Sequence, residues 1–313
     1  MRYERALVTG GAGFIGSHLT ERLLSEGLHV VVLDNLSVGK RENVPAGAEF
    51  LQGDVQDREA VAQAMAGVDA VFHLAARVSI RASVAGFYED AQTNLMGTLN
   101  VLRACAAQHV NKLVYASSMA VYADAPAGST VPETYTTTPI SPYGVAKLAC
   151  ERYAMLVAAE SGFRTVALRF FNTFGPRQTF TPYVGVITIF IQRLLRGEPP
   201  VIFGDGEQRR DFVYVGDIVE GTFRALVTDV HGEVFNIGTG VGTTVNQVAA
   251  LLCARIQPGV VPLHALEHAG ELRSSVADIG KARRMLGYEP HGRLEDQIDE
   301  IIAWNRGTAA HEH

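Results

Sequence analysis

The chain has 313 residues, 47% of them hydrophobic and 19% charged, which is ordinary for a globular protein and leaves room for one large α/β domain with a smaller companion. A net charge of −6 excludes a global field that would hold nucleic acid or an anionic membrane. Cys105, Cys150 and Cys253 are far apart and odd in number, so they read as reduced thiols buried in helices, with no metal site among them. No apolar run reaches membrane-spanning length, and Met1 to Arg5 lead straight into a strand without a signal peptide, so the expected compartment is the cytoplasm.

Residues 6–9 form a short apolar run ended by glycines and read as a buried strand. Residues 15–26 have helical periodicity, with Ile15, Leu19 and Leu23 on one face. Strands follow at 30–33 and 49–53, a helix at 57–66, a strand at 70–74, a long helix at 91–108 and a strand at 112–116. A helix over 143–161 and a strand over 165–169 complete the run. Such alternation specifies an α/β fold built on a doubly wound parallel sheet covered on both faces. After about residue 170, prolines and glycines loosen the pattern. Helical stretches near 184–196, 215–228 and 244–255 and a short strand at 199–203 suggest a smaller C-terminal α/β lobe for substrate. The expected division is 1–170 for a dinucleotide, with returning segments from 205–240, and 171–313 mainly for substrate. Ligands in such folds bind beyond the carboxyl ends of the strands. The tail from Gly307 to His313 reads as frayed, and His311 and His313 as part of it rather than as metal ligands.

The glycines after the first strand follow G-x-x-G-x-x-G at Gly10, Gly13 and Gly16, with Phe14 and Ile15 between the last two. Gly10 permits the turn, Gly13 lets a pyrophosphate reach the backbone, and Gly16 lets the helix pack on the strand. The helix N-terminus then offers free N–H groups to phosphate. Asp34 stands 18 residues after Gly16 at the end of the second strand. A carboxylate there suits two ribose hydroxyls and repels a 2′-phosphate, and Asn35 beside it brings no compensating positive charge. NAD is therefore preferred over NADP. Asp54 and Val55 are placed to meet adenine, although Asp54 could equally cap the following helix.

Tyr143 and Lys147 are four apart on a helix and share a face. Ser118 ends a strand 25 residues before Tyr143. A nearby ammonium, together with the positive nicotinamide of the oxidised cofactor, is expected to lower the phenol's pKa so that Tyr143 can act as a base, with Ser118 orienting the reacting hydroxyl. Alone, a Tyr-x-x-x-Lys pair is usually an amphipathic surface pair. Behind a nucleotide turn and a placed serine, it reads as catalytic.

The segments VTGGAGFIGS, DNLSVGKREN, GDVQD, HLAA, SSMAVY, YGVAK, RFFNTFGPRQ, GDGEQRRDFVYV, NIGTG and SVAD together resemble the extended short-chain dehydrogenase/reductases, and within them the NAD-dependent nucleotide-sugar epimerase/dehydratase family, nearest to UDP-glucose 4-epimerases. The resemblance implies a Rossmann-like fold and 4-epimerisation through a transient 4-keto sugar on tightly held NAD. It implies that Ala75, Asn94 and Ser117 line the cofactor. It also implies that Ser79 lies near the sugar or diphosphate, that Asn172 contacts the diphosphate, and that Val186, Phe203 and Arg210 frame the nucleotide. Arg273 is implied to approach the phosphates or the uridine ribose, with an exposed strand arginine as the alternative. Relatives commonly dimerise through the helices of Asn94 and Tyr143, which points to Leu99, Leu102, Leu148 and Met155 as contact positions, with packing against the chain's own sheet as the alternative.

Departures from the family patterns narrow the reaction. Dehydratases carry Asp-Glu after the catalytic hydroxyl residue, and decarboxylases a glutamate at the second of those positions. This chain has Met119 and Ala120. Uronate epimerases tend to have threonine at Asn172 and an arginine near Thr179, which disfavours a uronate. The remaining alternatives are a UDP-glucuronate or dTDP-sugar 4-epimerase and a keto-sugar reductase. His268 replaces a usual phosphate-binding arginine, and Ala123 a usual glycine. Ser275 replaces a bulky tyrosine of epimerases restricted to unacetylated sugars, so room for a 2-acetamido group is expected.

Overall fold

The structure is a computed structural model that describes residues 3–126, 128–179, 185–266 and 272–309. His268, His311 and His313 lie outside the described residues. In chain order the first half runs β1 (Arg5–Thr9), α1 (Phe14–Ser25), β2 (His29–Asp34), β3 (Glu49–Gln52), α2 (Arg58–Ala64), β4 (Ala70–His73), α3 (Ile80–Ala85), α4 (Phe87–Ala91), α5 (Gly97–Ala107), β5 (Lys112–Ser118), α6 (Pro142–Ser161) and β6 (Arg164–Phe170). The second half runs β7 (Asn172–Phe174), α7 (Val186–Leu195), β8 (Val201–Phe203), β9 (Arg209–Tyr214), α8 (Val215–Val227), β10 (Glu233–Ile237), β11 (Gly242–Thr244), α9 (Val245–Ile256), β12 (Leu263–Ala265), β13 (Ser274–Ser275), α10 (Gly280–Leu286) and α11 (Leu294–Ala309).

Seven parallel strands form one sheet in the order β10-β6-β5-β4-β1-β2-β3. The order reverses between β1 and β4, which opens a crevice at their carboxyl ends. Strands buried on both faces read as continuous apolar runs, which is why 6–9, 30–33, 70–74 and 112–116 were legible. One apolar core joins α1, α8 and α10 to one face of the sheet. A second packs α2, α5 and α6 on the other. The 205–240 stretch divides: β9 stays in a small sheet with β7, β11 and β13, while α8 and β10 return to the large one. A third core, from α7, α9 and α11, carries the outer lobe.

The expected single helix over 91–108 is interrupted. A π-helical turn, Gln92–Met96, separates α4 from α5. Its cause is Asn94, whose side chain leaves the helix to bind the loop after β4. Extra turns of this kind commonly mark functional positions. The three cysteines are buried free thiols on α5, α6 and α9. Among the described residues, no helix is long and apolar enough to cross a membrane.

Candidate active site

The crevice begins at the glycine turn. Gly10 takes φ +74°, and a Cβ there would stand 2.8 Å from the Ala75 nitrogen. A Cβ on Gly16 would stand 2.2 Å from the Gly10 carbonyl oxygen. Gly13 differs: an added Cβ would meet only the Gly10 oxygen, at 3.2 Å, among the described residues. It would otherwise fill the mouth of the crevice. Gly13 caps α1 without a side-chain hydrogen bond, so the backbone N–H groups of Phe14 and Ile15 at the start of α1 are not taken by a capping side chain.

Asp34 is buried at the end of β2. Its Oδ2 accepts from the Ala12 N–H at 3.0 Å and its Oδ1 from the Leu36 N–H at 2.8 Å. Each carboxylate oxygen keeps further lone-pair capacity for a hydroxyl donor. Asn35 donates to Asp54 at 2.7 Å and turns the β2 and β3 loops toward each other. Asp54 does not cap the next helix. Asp57 does, accepting from Glu59 and Ala60, because it is the residue directly before the first helical turn. Val55 is buried against Gly97, where a Cβ would come within 2.6 Å of its side chain.

A buried relay lies under the switch point. The Ala75 N–H donates to Thr9 Oγ1 (3.2 Å), Thr9 contacts His73 Nδ1 (2.7 Å), His73 Nε2 contacts Thr98 Oγ1 (2.9 Å), and Thr98 donates to the Asn94 carbonyl (2.6 Å). Thr98 spends its only proton on Asn94, so His73 must donate from Nε2 and accept at Nδ1. Burial holds the imidazole neutral, with its pKa pushed down to about 3, and Lys147 adds to the effect. The relay ties Ala75 to Asn94 across the crevice. The Asn94 side chain is itself committed: it binds both backbone groups of Arg77 at 2.9 Å and donates to Asp90 at 3.0 Å.

On the other side, Ser118 ends β5, and its side chain lies close enough to the Tyr143 phenol to lower its pKa. Its hydroxyl accepts from the Ala120 N–H at 3.1 Å. The N-terminus of α6 is seated by Ser141, which caps it, and by Ser83 of α3, which accepts the Tyr143 N–H at 3.3 Å. Lys147 is buried one turn on, donates to the Ala116 carbonyl at 2.7 Å, and stands 5.0 Å and 5.9 Å from the Tyr115 and Tyr143 ring centroids.

The share of the expected lowering assigned to the ammonium does not arise in the chain alone. In the chain alone burial dominates and pushes the phenol up to about 12, with the Ser118 side chain opposing and Asp90 reinforcing it. Lys147 is pushed down to about 8, again by burial. Its ammonium points at a carbonyl rather than at the phenolic oxygen, which is why it does not offset the desolvation.

Ser117 faces α6 instead of the crevice. Its hydroxyl donates to Glu151, which forms a bidentate buried pair with Arg169 (2.9 and 2.7 Å). Ser79 caps α3 at the crevice edge. In the small sheet, Asn172 of β7, Arg210 of β9 and Ser275 of β13 lie on neighbouring strands, and Asn172 donates to Ser275 at 3.4 Å. Arg210 donates to the Arg209 carbonyl. Val186 opens α7, and Phe203 ends β8 half-exposed. Arg273 is exposed and bound bidentate to Asp205 (3.2 and 3.0 Å) rather than unattached on its strand. The residues that sequence reasoning missed are Thr9, His73, Thr98, Asp90 and Glu151. Only Asp90 had a local signal, its i,i+4 spacing to Asn94.

Of the two readings open for the named dimer positions, packing against the chain's own sheet holds for Leu102. Leu102 is fully buried in the chain's own core, and Leu99, Leu148 and Met155 are half-buried against it. The exposed apolar positions of these helices are Met96, Val145, Tyr153 and Leu156. The inward set follows from α5 and α6 each packing on the sheet.

The sequence pattern of the NAD dependent epimerase/dehydratase family matches residues 6–238. The fold is similar to that of the UDP-glucose 4-epimerase of Thermotoga maritima solved with UDP-glucose, at 40% identity and a TM-score of 0.93 over 97% of this chain and 99% of that one. It is similar to the UDP-glucose 4-epimerase of Thermus thermophilus in complex with NAD, at 39% identity and a TM-score of 0.90 over 97% and 99%. A UDP-N-acetylglucosamine 4-epimerase from Methanobrevibacter ruminantium, in complex with UDP-N-acetylmuramic acid, matches at 34% identity and a TM-score of 0.92 over 98% and 100%. The uncapped glycine turn, the buried Asp34 and the Ser118–Tyr143–Lys147 group accord with these likenesses, and the chain belongs to the NAD-dependent epimerase/dehydratase family.

Proposed function

We propose that the chain catalyses 4-epimerisation of a UDP-hexose through a transient 4-keto sugar. The observation that carries this reading is the Tyr143 phenol, acted on by the Ser118 side chain, with Lys147 buried one turn away and the non-ionisable Met119 and Ala120 following Ser118. An acid–base pair for eliminating water is missing from those two positions, while one tyrosine suffices to take and return a single proton. Gly10, Gly13, Phe14, Ile15, Gly16, Asp34, Asn35, Asp54, Val55, Ala75, Asn94 and Ser117 form the NAD cradle, the last three largely through backbone. NAD, when bound, supplies the hydride acceptor and donor and, oxidised, a positive charge.

Tyr143 takes the proton of the 4-hydroxyl and later gives it back. Ser118, fixed by the Ala120 N–H, orients that hydroxyl. Lys147 holds a buried ammonium one turn from the phenol, and the positive charge of oxidised NAD, when bound, would favour the phenolate over the phenol. Asn172, Arg210 and Ser275 on the small sheet, with Ser79, Val186, Phe203 and Arg273 around them, receive the sugar nucleotide. Residues 1–170, with the α8–β10 segment that returns from the 205–240 stretch, thus serve the cofactor, and 171–313 mainly the substrate. Ser275 is small, which leaves the 2-acetamido sugars within range. The exposed apolar stripe of α6 supports a homodimer.

Purified protein without added cofactor, incubated with UDP-galactose and separately with UDP-GalNAc, is to be followed by anomeric proton NMR. Conversion to the 4-epimer supports the reading and shows retained NAD. No conversion of either, with NAD added, overturns it in favour of uronates, dTDP-sugars or keto-sugar reduction. Ser275→Tyr should abolish turnover of the acetylated pair and spare UDP-galactose.

A further inference from the structure

Ser117, Arg169 and Asn236 stand side by side on β5, β6 and β10, toward the carboxyl ends of those strands. All three are buried, and Asn236 is 0% exposed. Their side chains belong to one chain of hydrogen bonds. At one end Ser117 and Arg169 share Glu151 of α6, one turn after Lys147. Arg169 Nη1 then donates to the Tyr122 hydroxyl at 2.8 Å, and Tyr122 donates to Asn236 Oδ1 at 2.6 Å. At the other end Asn236 Nδ2 donates to the carbonyls of Val131 (2.8 Å) and Asp278 (3.3 Å). Val131 is in turn joined to the stretch that follows Ser275. Its N–H donates to the Val276 carbonyl at 2.8 Å, and its carbonyl accepts the Asp278 N–H at 2.9 Å. We propose that Asn236 is a positioning residue that holds Ser275 and its strand in place relative to Ser118 and Tyr143, an assignment that rests on the reaction proposed above.

The two groups need such a tie because they belong to different sheets. Ser118 ends β5 of the large sheet, whereas Ser275 lies on β13 of the small one. Strand pairing sets distances within a sheet and not between two sheets. The hydrogen-bond chain starts at the catalytic group: Ser117 directly precedes Ser118, and Glu151 shares α6 with Tyr143 and Lys147. It ends on Val276 and Asp278, just past Ser275. A second arm runs alongside. The Tyr122 ring lies against Phe171, with centroids 6.5 Å apart, and the next residue, Asn172, donates to Ser275 at 3.4 Å. Asn236 is fully used: its side-chain oxygen accepts, its amide nitrogen donates twice, and its backbone N–H donates to Glu133 at 2.9 Å. A buried polar group with every partner in place rigidifies its surroundings and specifies one arrangement.

Two variants cut the chain at different bonds. Asn236→Leu keeps the branched shape and removes every side-chain hydrogen bond. Tyr122→Phe keeps the ring, removes one hydroxyl, and stands in should the leucine variant fail to fold. The direct readout is amide hydrogen exchange, followed by mass spectrometry, in the peptides that carry Val131 and Asp278. Exchange there should speed up by about tenfold, the worth of roughly one lost buried hydrogen bond, while peptides of β1 and β2 exchange as in the wild type. In turnover of UDP-galactose, kcat should fall by about tenfold or more as the sugar is presented less well to Tyr143. Inhibition by UDP should stay as in the wild type, because Phe203 and Arg210 lie outside the chain of bonds, and a merely structural role would give no such split. The double variant should lose no more kcat than Asn236→Leu alone, since both changes interrupt one chain. Wild-type exchange at Val131 and Asp278 in both variants overturns the assignment, as does faster exchange with unchanged kcat. Absence of turnover in the wild type, with exchange raised in the variants, overturns the proposed substrate and leaves Asn236 as the tie between the two sheets.

Discussion

The Cβ that Gly144 lacks would stand 2.3 Å from the carbonyl oxygen of Ala120. This approach presses the first turn of α6 onto the turn that follows Ser118, and it is what brings the Tyr143 phenol to the Ser118 hydroxyl. Gly144→Ala must push the helix off that turn. Misplacing a catalytic group by about 1 Å costs on the order of hundredfold in rate. Turnover of the UDP-hexose should fall by about that much, and circular dichroism should remain native. Near-normal kcat would show that the contact does not set the Tyr143 position.

His73 should govern acid stability. In the unfolded chain its imidazole takes up a proton near pH 6.5, whereas in the fold it stays neutral down to about 3. Between those values the unfolded state binds more protons, so stability is lost as pH falls through the window. At about 1.4 kcal/mol for each pH unit, the loss is on the order of 4 kcal/mol. Urea denaturation from pH 7 to pH 4 should show this slope, and His73→Gln should flatten it. Equal slopes would place the acid sensitivity elsewhere.

Glu151 and Arg169 form a buried ion pair in which Glu151 also accepts from the Ser117 hydroxyl and Arg169 donates to the Tyr122 hydroxyl. Removing one partner leaves a buried charge, which typically costs about 3–5 kcal/mol. Glu151→Leu alone should destabilise by that amount, and Glu151→Leu with Arg169→Met should recover most of it. Additive losses in the double variant would show that the two side chains act independently.

The outward stripe of α6 should mediate self-association. Val145 and Leu156 are 54% and 66% exposed, and Tyr153 lies between them on the same face. An apolar patch of this kind normally marks an interface. Analytical ultracentrifugation of the wild type should give twice the monomer mass, and Leu156→Glu should shift it to monomer at micromolar concentration. A wild-type monomer would remove the dimer from the proposal.

The order of strands and helices, the glycine turn and the YGVAK pentapeptide were legible in the sequence because each is a local signal: a buried run, a backbone that tolerates no Cβ, a one-turn spacing. The sequence also carried the family. What it could not carry were contacts between residues far apart in the chain. Thr9, His73 and Thr98 lie on three different elements and meet only once β1, β4 and α5 pack together. The π-helical turn depends on Asn94 finding Arg77 outside its own helix. The protonation states of Tyr143 and Lys147 were read from their spacing, yet burial decides them in the chain alone, and burial is a property of the assembled fold. Leu102 and Leu156 show the same limit on the helix surfaces. Both are apolar, and only packing on the sheet decides that one is interior and the other exposed.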